Sequence, residues 1–91
     1  MSLDEYRDQI DQLDNQLIVI LGKRFNITRQ VGEYKRQHNL TSRDPNREKH
    51  QFTRYEKLAV SNQINPVLVA RIMRSIVDEV VVNHNQLRNQ D

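Results

Sequence analysis

One repeat governs what the first third of this chain can become. Leu3, Tyr6, Ile10, Leu13, Leu17, Ile20, Arg24, Ile27, Val31 and Tyr34 recur at alternating spacings of three and four residues, the heptad seam of a helix that packs along its whole length. No proline occurs before Pro45, so one helix is expected from about Leu3 to His38. At 1.5 Å per residue it is about 54 Å long, whereas a compact domain of this size has a radius of gyration of about 12 Å. Such a helix overhangs its own fold. Its seam has to be buried against another copy or another protein.

The composition points the same way. With 91 residues and 36% hydrophobic side chains, at a mean hydropathy of -0.83, the chain is one domain, 1–91, with little apolar surface for a private core. It has no cysteine, so neither a disulfide framework nor a thiolate metal site is available, and a cytoplasmic location is expected. The first residues show no basic segment followed by an apolar stretch, and no apolar run approaches membrane-spanning length. Fourteen Lys and Arg against twelve Asp and Glu give a net charge of +2, with 5% aromatics. That is a weak signature for nucleic acid; Arg29, Arg36, Arg43 and Arg54 read more simply as a solvated face.

Two further helices follow. Asp44-Pro45 combines an N-cap residue with proline at the first helical position, opening a helix that carries Phe52, Tyr55, Leu58 and Ala59 to about Val60. After the polar turn Ser61 to Asn65, Asn65-Pro66 repeats the signal. The third helix bears Val69, Ile72, Met73, Ile76, Val77, Val80, Val81, His84 and Leu87 on one broad stripe. Gly22 and Gly32, inside the first helix, each cost about 1 kcal/mol relative to alanine. They suggest close approach by a neighbouring backbone or ligand, although Gly22 is equally well a tolerated weak point.

The cations resist a purely structural reading. Arg24 occupies a seam position where a buried guanidinium needs an anionic partner, either an acid on another helix or a ligand. Lys35 lies eleven residues later, on nearly the same face and about 16 Å along the axis, so both side chains can lean toward one small anion. Arg7 lies seventeen residues before Arg24, about 25 Å away and about 100° around the helix. If it serves the same ligand, it comes from a second copy.

Arg7, Arg24, Lys35 and the stretch Arg43-Asp44-Pro45-Asn46-Arg47-Glu48 resemble the all-helical chorismate mutases over about residues 4 to 88. The resemblance implies an all-α, intertwined helical homodimer of three-helix chains, each site completed by the long first helix of the other chain. It implies the pericyclic rearrangement of chorismate to prephenate in aromatic amino-acid biosynthesis, with no cofactor and no metal. On that basis Arg24, Arg47 and Arg7 of the second copy grip two carboxylates, and Lys35 contacts a carboxylate and the ether oxygen. Asp44 and Glu48 orient the ring hydroxyl, Asp44 through its backbone. Such chemistry needs a compact reactive conformer and donors aimed at the oxygen where negative charge grows, not a nucleophile.

Two positions depart from the family, which usually places Ser and then Gln or Glu near the end of the third helix; here they are Val80 and His84. Val80 cannot donate to a carboxylate. His84 can still donate to the ether oxygen, from both ring nitrogens when protonated, which predicts activity rising as pH falls; a histidine packed on the apolar stripe is the competing reading. The same fold also includes a lyase branch that removes pyruvate from isochorismate, and retention of both Asp44 and Glu48 favours the mutase. A catalytically weak regulatory or partner-binding dimer is the third alternative.

Overall fold

Each helix begins at a residue whose side chain satisfies an otherwise orphaned backbone N–H. The computed structural model describes residues 1–89 and contains α1 (Leu3–Gln37), α2 (Pro45–Ser61) and α3 (Pro66–Arg88), with no strand among the described residues. The last two residues of the expected 1–91 domain lie outside the described residues. Ser2 and Glu5 form a capping box at the start of α1. The Asp44 carboxylate accepts from the Arg47 N–H at 3.1 Å, and the Asn65 side chain accepts from the Val67 N–H at 2.9 Å. In both later helices proline follows the cap, where its missing N–H costs nothing.

The ends of α1 and α2 share one device. Past α1, Leu40 N–H bonds the Lys35 carbonyl at 2.8 Å and Asn39 N–H bonds the Arg36 carbonyl at 3.3 Å. Past α2, Ile64 N–H bonds the Ala59 carbonyl at 2.9 Å and Gln63 N–H bonds the Val60 carbonyl at 3.1 Å. These are Schellman closures, which require a left-handed residue. Asn39 (φ 53°) and Gln63 (φ 59°) supply it in place of glycine.

α3 is the central element. It packs against both α1 and α2, while α1 and α2 do not pack against each other among the described residues. The buried apolar core is small: Tyr55 and Ala59 from α2 and Val77 from α3, joined by one buried polar side chain, His84. By contrast, the first twenty residues are all exposed, including the seam residues Tyr6, Ile10, Leu13, Leu17 and Ile20. The molecule measures 55 × 25 × 14 Å, so half of α1 extends past the body as an apolar arm. The expectation of a seam that its own chain cannot cover is met. No helix among the described residues is long and apolar enough to cross a membrane.

The two glycines differ. A Cβ on Gly22 would meet nothing within 4 Å, whereas one on Gly32 would lie 2.5 Å from His84 Cδ2 and 3.0 Å from Leu87 Cδ1. Gly32 is therefore the point where α3 presses its histidine onto α1. Replacing Gly32 with alanine gains about 1 kcal/mol of helix propensity but overpacks a seated ring, at a cost of about 1–3 kcal/mol. The expected result is a lower thermal midpoint, read by circular dichroism, together with displacement of the His84 ring.

Candidate active site

The C-terminal half of α1, the 38–44 link, the first turns of α2 and the middle of α3 enclose a cleft of about 510 Å³. Seven of the eight residues singled out in the sequence line it: Arg24 and Lys35 from α1, Asp44 from the link, Arg47 and Glu48 from α2, and Val80 and His84 from α3. The near-alignment of Arg24 and Lys35 on one helical face brings both to it. Arg7 is elsewhere, on the exposed arm, where its guanidinium lies 3.8 Å from the Asp4 carboxylate. Within one chain, these cations therefore converge without Arg7, as the helix geometry requires.

Several contacts fix the cleft's polar groups. Lys35 Nζ donates to the Ser42 carbonyl at 3.1 Å, and Ser42 Oγ donates to Asn85 Oδ1 at 2.6 Å. Arg88 donates to the Leu40 carbonyl. The link is thus pinned to both α1 and the end of α3. An ammonium has three donors, so Lys35 keeps two for a ligand while its position is held.

Arg24 Nη1 is buried with no hydrogen-bond partner among the described residues. Among the described residues no acid bonds this nitrogen as its seam position demanded. His84 is 3% exposed, and its Nε2 lies 2.9 Å from the Thr28 carbonyl. A carbonyl only accepts, so Nε2 carries the proton and donates. The Cδ2–Nε2 edge of the ring faces Gly32, and Nδ1, on the other side, is buried with no partner among the described residues. A neutral imidazole held this way presents a lone pair at Nδ1, not a donor.

Glu48 is engaged by two arginines, Arg43 on the cleft wall and Arg74 outside it. Its Oε1 accepts from Arg43 and from Arg74, both at 2.7 Å, and Asp78 accepts from Arg43 at 3.1 Å. The hydrogen bond to Asp78, with Glu48 close by, raises the Arg43 guanidinium pKa further above its ordinary value. The sequence reading had weighed Arg43 for phosphate contact, and in the fold it is paired with acids instead. Arg74 and Asp78 were not singled out, although their i, i+4 spacing on one helix was a visible signal. Gln51, Arg54 and Tyr55 also line the cleft and were not read as site residues.

The three helices define an all-helical protein with one cleft lined by Arg24, Lys35, Arg43, Arg47 and Arg54. Residues 6–85 match the family Chorismate mutase type II, and the chain belongs to that family. It is 27% identical over 84 residues to the chorismate mutase of Methanocaldococcus jannaschii, covering 92% of this chain and 80% of that protein. It is 33% identical over 85 residues to the T-protein of Haemophilus influenzae, covering 93% of this chain. With the bifunctional chorismate mutase/prephenate dehydratase of Buchnera aphidicola it shares 27% over 85 residues. The chain spans only 22% of each of these two longer relatives.

Proposed function

We propose that this chain is a chorismate mutase that converts chorismate to prephenate as a homodimer in the cytoplasm, its single domain holding most of one active site. The observation that carries the reading is the convergence of Arg24, Lys35, Asp44, Arg47, Glu48, Val80 and His84 on one cleft. The reaction breaks the ether C–O bond as a C–C bond forms, and negative charge grows on the ether oxygen on the way. Arg24 and Arg47 bind the carboxylates, where a planar fork can engage both oxygens. Lys35 donates to a carboxylate and to the ether oxygen. The ring hydroxyl donates to Glu48 and meets the Asp44 backbone, the Asp44 side chain being used to cap α2. Val80 contributes apolar contact only.

The exposed seam of α1 is covered by the same seam of a second copy, which carries Arg7 to the other chain's cleft. Incubation with chorismate, with product identification, tests the activity. Prephenate formation supports the mutase. Loss of pyruvate from isochorismate without chorismate turnover identifies the lyase, and no reaction with either leaves a non-catalytic helical dimer.

His84 sets the pH dependence. With the Nε2 proton committed to Thr28, donation to the ether oxygen uses Nδ1, which carries a proton only in the imidazolium. The groups around the cleft are Arg24 and Lys35 on α1, Arg43 and Asp44 in the link, and Arg47, Glu48, Arg54 and Tyr55 on α2. If the imidazolium is the donating form, activity is higher at about pH 5 than at about pH 8. His84→Gln, which donates without titrating, is expected to flatten the profile. A wild-type profile already flat over that range refutes the role of the proton.

A further inference from the structure

We propose that Arg74, acting with Arg43 and Asp78, is a positioning residue that fixes which oxygen of Glu48 meets the substrate. The inference rests on the mutase reading of Glu48 and adds to it two residues outside the family pattern quoted above, Arg74 and Asp78, together with Arg43 of that pattern. Two guanidiniums, one from the link and one from α3, converge on a single carboxylate oxygen, Oε1, at 2.7 Å each. Asp78 lies 3.1 Å from Arg43 and 3.7 Å from Arg74, closing a ring of alternating charge. Arg74 is held from a further direction, its Cζ lying 4.2 Å from the centroid of the Phe52 ring.

The placement of these groups separates their tasks. Glu48 lines both the cleft and a shallow outer groove, whereas Arg74 lines the groove and not the cleft. Arg74 therefore reaches a bound molecule only through Glu48. The Glu48 side chain is 13% exposed, while those of Arg43, Arg74 and Asp78 are 42%, 45% and 50% exposed. Ion pairs as exposed as these add little to folding stability. What they do supply is geometry, because charge-assisted hydrogen bonds on one oxygen restrict the carboxylate plane and leave Oε2 as the acceptor for the ring hydroxyl.

Release from this clamp has a definite consequence. Lys35, Arg47 and Arg54 line the same cleft, and an untethered carboxylate on the first turn of α2 turns toward them. It then abandons the hydroxyl and neutralises cations that the dianion needs.

The test is a double-mutant cycle on chorismate turnover with Arg74→Met, Glu48→Gln and the pair. Methionine keeps an apolar cover on Phe52 and removes the fork. Arg74→Met is expected to lower kcat/KM by about tenfold to a hundredfold, the scale of a reacting group displaced by about 1 Å. In the Glu48→Gln background the same change is expected to cost little, because its route of action is gone. Arg74→Lys recovers part of the loss, and Asp78→Asn, which keeps both arginines, gives a smaller loss with the fold intact. No chorismate turnover by the wild-type protein overturns the mutase reading and this proposal together. Turnover with Arg74→Met as active as wild type, or with an equal loss in both backgrounds, overturns the positioning role alone.

Discussion

Arg24→Ala and Lys35→Ala are each expected to lower kcat/KM by about a hundredfold to a thousandfold, for Lys35 the scale of removing one preorganised donor to a developing charge and for Arg24 that of removing one partner of a buried charge pair. The far-UV circular dichroism of both variants is expected to stay that of the wild type. For Arg24 the sign on stability differs from that of an ordinary core residue. Its Nη1 is buried without a partner, and an orphaned buried donor opposes folding. Alanine removes that penalty along with the packing of the aliphatic stem, so the thermal midpoint is expected to move little while activity collapses. Lys35 is a ligand group whose position is held by the Ser42 carbonyl, and its loss removes donors without opening a core. Full activity in either variant, or a melted helix signal accompanying inactivity, contradicts the assigned roles.

Mixing two inactive proteins is expected to restore activity if Arg7 serves the other chain. Arg7→Ala removes the arm's contribution and Arg24→Ala removes the cleft's. In a heterodimer of the two, one site carries both substitutions and the other carries neither. With random exchange in a two-fold dimer, roughly a quarter of wild-type activity returns. If Arg7 acted within its own chain, every site would carry one substitution and nothing would return. The physical basis is its position on an exposed arm, paired only loosely with Asp4 at 3.8 Å. Complementation therefore reads the shared site directly, which a simple measurement of mass does not.

The periodicity of α1 and the two cap-plus-proline pairs made three helices legible, with boundaries close to those observed. The Ser2 and Glu5 capping box was not read, although its spacing is a start signal. The helix ends were harder, because Asn39 and Gln63 occupy the left-handed positions where glycine is the usual signal. Arg24 and His84 stood out because each sits on an apolar stripe where charge or polarity needs a reason, and Lys35 because it lies eleven residues from Arg24 on nearly the same face. The roles of Arg43, Arg74 and Asp78 were not legible, since they depend on how the link and α3 meet at Glu48, a tertiary fact that no local spacing encodes. For His84 the sequence left a free choice between packing and donation to a ligand. In the fold the ring is packed, with one nitrogen bound to Thr28 and the other without a partner among the described residues.

The smallness of the buried core, Tyr55, Ala59 and Val77, has a consequence for how this protein persists in solution. When a chain's apolar surface is closed mainly by its twin, folding and pairing become one bimolecular event, and the stability of the native state scales with the logarithm of concentration. For the proposed dimer, dilution is then a denaturant in its own right. A cell that makes few copies holds a less durable enzyme, chain for chain, than one that makes many.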